Sequence, residues 1–140
     1  MKNRREFLKR SALITSGLAI SAPLLANSNS AKSSDINLPG VIFTDDVQGK
    51  WDGKAGSHVP KVTVNGNKVT LVTEHGMSES HYIVRHTLVN QAGKMIGAQT
   101  FSGTDEKAVS TFELPAGCSG KLYATSFCNK HDFWLKEFSV

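Results

Sequence analysis

The sequence predicts an all-β domain, a β-sandwich of about seven short strands. Three observations carry this reading. From residue 59 onward, apolar and polar residues alternate in short runs. Turn signals separate the runs roughly every 8–12 residues. No ten-residue stretch after residue 40 carries a helical apolar period.

The strands follow in order. Residues 61–64 and 68–73 flank Asn65-Gly66-Asn67, a hairpin turn signal. Residues 81–89 form a long strand, which Gln91-Ala92-Gly93 turns into a strand over 94–101. Residues 108–114 follow a polar loop. Residues 121–128 alternate cleanly, and 133–138 close the chain. In this pattern Phe133 and Trp134 read as core residues. Residues 41–57 hold Val41, Ile42, Phe43 and Trp51 among Gly and Asp, and are expected as loop with little regular structure.

Charge divides the chain unevenly. The formal net charge is +4 over 140 residues. Lys2, Arg4, Arg5, Lys9 and Arg10 face a single acid, Glu6, before residue 32. The remainder is balanced, with eleven basic and eleven acidic residues. A nucleic-acid partner needs a basic face on the domain itself, so none is expected.

The basic start has its own meaning. Arg4-Arg5-Glu6-Phe7-Leu8-Lys9 is a paired-arginine motif, followed by a moderately apolar run from Ala12 to Ala26. Gly17, Ser16, Ser21 and Pro23 make that run weak for a membrane span. Residues 1–31 are expected to be a twin-arginine signal peptide with its cleavage region. The implied partner is the twin-arginine export machinery, and the implied location is the periplasm. Residues 32–49 then read as a tether and N-terminal extension, and 50–140 as the folded domain.

Five potential ligands lie in that domain: His58, His75, His81, Cys128 and His131. Four imidazoles and one thiolate exceed what tetrahedral zinc needs. They suit a five-coordinate transition metal with one open position, a redox iron site. All five fall at strand ends or in loops, where such sites are commonly built. A disulfide between Cys118 and Cys128 is the plainer reading for an exported chain. The Cys128-x-x-His131 spacing favours a metal-bound Cys128, leaving Cys118 as a small, mostly buried residue. His86 lies five residues after His81. In a regular strand it points to the opposite face, as a surface or core histidine.

The ligand segments resemble those of the superoxide reductase family, the desulfoferrodoxins and neelaredoxins. His58-Val59-Pro60, His75-Gly76-Met77, His81-Tyr82-Ile83 and Cys128-Asn129-Lys130-His131 with Trp134 carry the resemblance, over roughly residues 50–140. It implies an immunoglobulin-like sandwich holding one Fe(2+)/Fe(3+) per chain, with four equatorial histidines and an axial cysteine. It resembles the one-iron form. The implied activity is reduction of superoxide to hydrogen peroxide. The implied partners are superoxide and an external electron donor, such as a rubredoxin-like or cytochrome protein. A homo-oligomer is compatible with the resemblance.

Three positions depart from the family pattern. Gly56 and Ser57 stand where Glu-Lys is usual before the first histidine. Lys54, nearby in sequence, is the candidate for the lysine's catalytic role. Gly76 replaces a proline and Asp132 a glycine. An iron-binding electron-transfer or redox-sensing protein without turnover is therefore the alternative function. A disulfide-closed, metal-free binding module is a third.

Overall fold

The computed structural model describes residues 38–140. The expected signal peptide, and the tether up to residue 37, lie outside the described residues. The described chain is a two-sheet β-sandwich with eight strands. These are β1 (Ile42–Phe43), β2 (Lys61–Asn65), β3 (Lys68–Thr73), β4 (Ile83–Asn90), β5 (Met95–Thr100), β6 (Ala108–Glu113), β7 (Lys121–Cys128) and β8 (Asp132–Ser139). One sheet runs β1-β8-β7-β4-β5 and the other β2-β3-β6. Only the β1–β8 pair is parallel.

The alternation in sequence becomes the alternation of faces. In β7, Leu122, Ala124, Ser126 and Cys128 turn inward and are buried. In β3, Val69, Leu71 and Thr73 do the same from the opposite sheet. Val69, Leu71, Leu88, Leu114, Leu122 and Ala124 form the main core cluster. The β2–β3 hairpin pairs Asn65 with Lys68, and Gly66 takes a φ of 59° in the turn. A positive φ there is available to glycine at no steric cost.

Residues 41–57 are more structured than their composition implies. β1 pairs with β8, setting Phe43 against Trp134 in the register. Phe43 is fully buried, its ring 5.5 Å from that of Trp134. A 3-10 turn (Gly49–Trp51) and a one-turn helix, α1 (Ala55–His58), follow. The Gln48 side-chain carbonyl accepts from Gly53 N–H at 2.9 Å and Ala55 N–H at 3.3 Å. A side chain thus holds backbone groups that neither strand nor helix would satisfy.

One aromatic departs from expectation, and His86 proves to be the core histidine of the two options. Phe133 is 46% exposed and stacks on Phe127 at 4.5 Å, while only Trp134 enters the core. Neighbours in a strand face opposite sides, so the two aromatics cannot both be inside. His86 is fully buried because β4 is irregular between Ile83 and Arg85. That bulge puts Ile83 and His86 on the same inward face, three residues apart. Ser110 Oγ lies 2.9 Å from His86 Nδ1 and Thr73 Oγ1 lies 2.9 Å from Nε2. Thr73 donates onward to Ser126 at 3.0 Å. With Ser110 donating and Thr73 accepting, His86 is satisfied as a neutral ring. Cys118 is half-buried and packs against the main core; neither cysteine is in a disulfide.

Candidate metal centre

Four segments deliver the five donor residues to one end of the sandwich. His58 ends α1, where Val59 N–H closes the turn on the Ala55 carbonyl at 2.9 Å. Its Nδ1 lies 2.9 Å from the Lys54 carbonyl, to which it donates. That bond leaves the opposite nitrogen, Nε2, with a free lone pair.

His75 and His81 flank the loop between β3 and β4. Ser78 and His81 exchange backbone hydrogen bonds of 3.1 Å, pinning the loop. Gly103 makes this possible. A Cβ there would lie 2.5 Å from the Ser78 carbonyl oxygen and 2.6 Å from Glu79 Cα. Cys128 ends β7, and His131 sits in the turn into β8.

Asn129 joins two of these segments. Its backbone N–H donates to Tyr82 O at 3.2 Å, and its side-chain oxygen accepts from Tyr82 N–H at 3.0 Å. Its side-chain nitrogen donates to Ser80 O at 3.2 Å. The His81 loop and the Cys128 turn are therefore held as one unit.

The donor atoms of His58, His75, His81, Cys128 and His131 all lie within 4.8 Å of one another. His58 Nε2 is 3.0 Å from His131 Nδ1, which is 3.0 Å from His81 Nε2. His81 Nε2 is 3.1 Å from His75 Nε2. The Cys128 sulfur lies 3.6 Å from His131 Nδ1 and 3.9 Å from His75 Nε2. Nitrogens about 3.0 Å apart can each sit about 2.1 Å from one common point, a metal–imidazole bond length. Four imidazole nitrogens and one sulfur converge on one point without a carboxylate among them, which is the donor set of a transition metal. A cation at their centre satisfies all of them, so the residues fit a metal.

Burial grades across the site. Cys128 is fully buried, in a cluster with Ile83, Phe101 and Ala108, and Met77 packs against it. His58 is buried, while His75, His81 and His131 are half-buried. The sulfur thus faces the core, and only the rings of His75, His81 and His131 reach solvent.

The electrostatics favour neutral rings. Burial pushes His58 down to about 4, against the partial help of its bond to the Lys54 carbonyl. Burial and the neighbouring His81 lower His75. His81 is lowered by burial and by the Lys130 and Lys54 charges. His131 is lowered by burial, by His81 and by the same two lysines. Neutral imidazole is the ligating form. Lys54 therefore stands close enough to act on two of the rings. Lys130 does the same, and sequence reasoning missed it, although it lies inside the Cys128–His131 segment. His86 is not among the converging donors.

Comparison with known proteins agrees with this geometry. The superoxide reductase (1Fe-SOR) from Giardia intestinalis is 25% identical, with a TM-score of 0.55 over 60% of this chain and 98% of that one. The superoxide reductase (neelaredoxin) from Ignicoccus hospitalis is 27% identical, with a TM-score of 0.58 over 71% and 93%. The superoxide reductase from Treponema pallidum is 27% identical, with a TM-score of 0.51 over 61% and 69%. A comparison with curated protein sequences finds no match. The family model for desulfoferrodoxin matches residues 50–137, which span all five converging donors and seven of the eight strands nearly end to end. With its sandwich, its donor cluster and this match over most of the described residues, the chain belongs to the desulfoferrodoxin family.

Proposed function

We propose that this protein is a periplasmic superoxide reductase, converting superoxide to hydrogen peroxide at one iron per chain. The observation that carries the reading is the convergence of His58, His75, His81, His131 and Cys128 within 4.8 Å. The similarity to superoxide reductases supports the substrate and the metal. Iron held there supplies one electron per superoxide by cycling between its ferrous and ferric states.

The chain's residues do the rest. Cys128 would bring a sulfur ligand to the iron from the apolar interior. The Lys54 carbonyl holds His58 in the tautomer that ligates. Superoxide must gain one electron and two protons to become hydrogen peroxide. Lys54 and Lys130 provide positive charge beside His81 and His131, where an anion arrives from solvent. Their ammonium groups are also candidate proton donors, with solvent to restore them. An external donor, rubredoxin-like or cytochrome-like, returns the electron. Export follows the twin-arginine route, directed by Arg4 and Arg5; retention of an Arg4→Lys/Arg5→Lys double variant in the cytoplasm is the outcome that tests it.

One observation favours a second reading, an iron protein that transfers electrons or senses oxidants without turnover. No lysine or glutamate side chain stands at Gly56 or Ser57, and the Ser57 hydroxyl is 3.2 Å from the Lys54 carbonyl and 2.9 Å from His58 Nδ1. Mixing the ferrous protein with superoxide separates the two. Fast oxidation with one hydrogen peroxide released per iron supports the reductase. Slow oxidation without peroxide supports the carrier.

A further inference from the structure

Asp132 is the one non-glycine residue with positive φ among the described residues, at 63°. Aspartate visits this region more readily than most residues, but still at a cost. Its carboxylate is engaged on a segment 81 residues away in sequence. Oδ2 accepts the Trp51 indole N–H at 3.0 Å and pairs with Lys50 Nζ at 2.9 Å. Lys50 Nζ also lies 4.8 Å from the centre of the Trp51 ring. These three side chains form one clamp.

The clamp closes on His131. The Trp51 ring meets the His131 ring edge-on, with centroids 4.6 Å apart at 85°. His131 is the donor residue whose orientation matters most. Its Nδ1 faces His58 Nε2 and His81 Nε2 at 3.0 Å and the Cys128 sulfur at 3.6 Å, three of the other four donors. A half-exposed imidazole in a turn needs an external brace, and Trp51 is placed as one.

We propose that Asp132 is a positioning residue, which holds Trp51 against His131 and so fixes the ring of that ligand for the metal. The Asp132–Lys50 ion pair is exposed and contributes little by itself. Its part is to keep the carboxylate's added negative charge from reaching the centre uncompensated. The hydrogen bond to Trp51 carries the positioning. The proposal rests on the reading of the five donors as a metal site.

The test compares Asp132→Gly, Asp132→Asn and Trp51→Phe in the full chain. Glycine accepts the positive φ without strain, so D132G deletes the carboxylate and leaves the backbone free to keep its turn. Asparagine also tolerates this conformation and retains an acceptor oxygen. Affinity for Fe(II) is measured by anaerobic competition with a chelator. Exchange of the indole N–H is followed by NMR in the Zn(II)-substituted protein. The chain has two tryptophans, so W51F assigns both indole signals.

Removing an outer brace of a ligand weakens metal binding by about ten-fold or more. That loss is expected in D132G and in W51F, with faster exchange of the Trp51 N–H in D132G and an unchanged thermal midpoint for metal-free D132G. D132N should restore both affinity and protection. If D132G binds Fe(II) as tightly as wild type and its Trp51 N–H stays protected, the proposal is overturned. A D132N that behaves as D132G also overturns it, since charge rather than the hydrogen bond would then be responsible. A wild-type chain that takes up neither ion overturns the metal reading, and the proposal with it.

Discussion

Trp134 donates its indole N–H to the backbone carbonyl of His131 at 2.8 Å. The bond anchors a metal-site turn to the centre of the fold, because Trp134 is fully buried against Phe43. The same ring lies 5.4 Å from that of His58. One core side chain therefore supports two donor residues from separate segments, 73 residues apart in sequence.

Trp134→Phe should expose the value of that bond. The substitution removes the pyrrole ring with its N–H, so the His131 carbonyl loses its donor and a small cavity opens beside it. An unsatisfied buried acceptor costs about 1–3 kcal/mol. Denaturant unfolding should show a loss of at least that size, because the cavity adds to it, and Fe(II) affinity should fall with it. Unchanged unfolding and unchanged affinity would mean that the carbonyl finds another partner.

Asn129→Ala removes the side-chain stitch between the His81 loop and the Cys128 turn. Two hydrogen bonds disappear, to Tyr82 N–H and Ser80 O. Each is worth roughly 0.5–1.5 kcal/mol. The expected result is faster amide exchange over residues 78–82 and weaker Fe(II) binding, with the strands unaffected. Exchange that rises equally across β4 and β7 would instead indicate global destabilisation.

Much of this was legible because its signals are local. Alternation over 121–128 set the inward face of β7, including Cys128. Asn65-Gly66-Asn67 marked the first hairpin. The donor segments stood out because each pairs a ligand type with a short fixed spacing. What escaped is non-local. Nothing near Trp51 announces a bond to Asp132, and nothing near Phe43 announces a parallel pairing with β8. The inward turn of His86 depends on a bulge that shifts the period by one residue. Phe133 looked like core because composition alone does not say which of two adjacent aromatics faces in.

His86 predicts a pH dependence separable from the metal. In the unfolded chain it titrates at its ordinary 6.5, while burial pushes it down to about 4 in the fold. Between those values the unfolded chain binds more protons, so stability rises with pH across the window. Acidification from 6.5 to 4 therefore removes stability, about 3 kcal/mol from this residue. Below 4 both states are protonated and its contribution stops changing. His86→Gln deletes the titration, so its stability should fall less than that of wild type between pH 7 and pH 4.5. Equal losses in urea unfolding would show that His86 does not titrate as its burial implies.

Lys54 and Lys130 give the reaction its electrostatic test. Each depresses His81 and His131, so both cations stand beside the solvent-facing edge of the donor set. The chain after residue 31 has equal numbers of basic and acidic residues, so long-range steering of superoxide is weak and attraction is chiefly local. Removing both charges in Lys54→Ala/Lys130→Ala should lower the second-order rate of the ferrous protein with superoxide by about ten-fold at low salt. Added salt should slow the wild type more than the double variant, because screening acts on charges the variant lacks. Each single variant should fall between the two. The comparison also ranks the lysines. A full loss in K54A alone would make Lys54 the working cation, whereas a full loss in K130A would move that role to the turn that carries His131. A double variant with the wild-type rate and wild-type salt dependence would show that neither charge guides the anion.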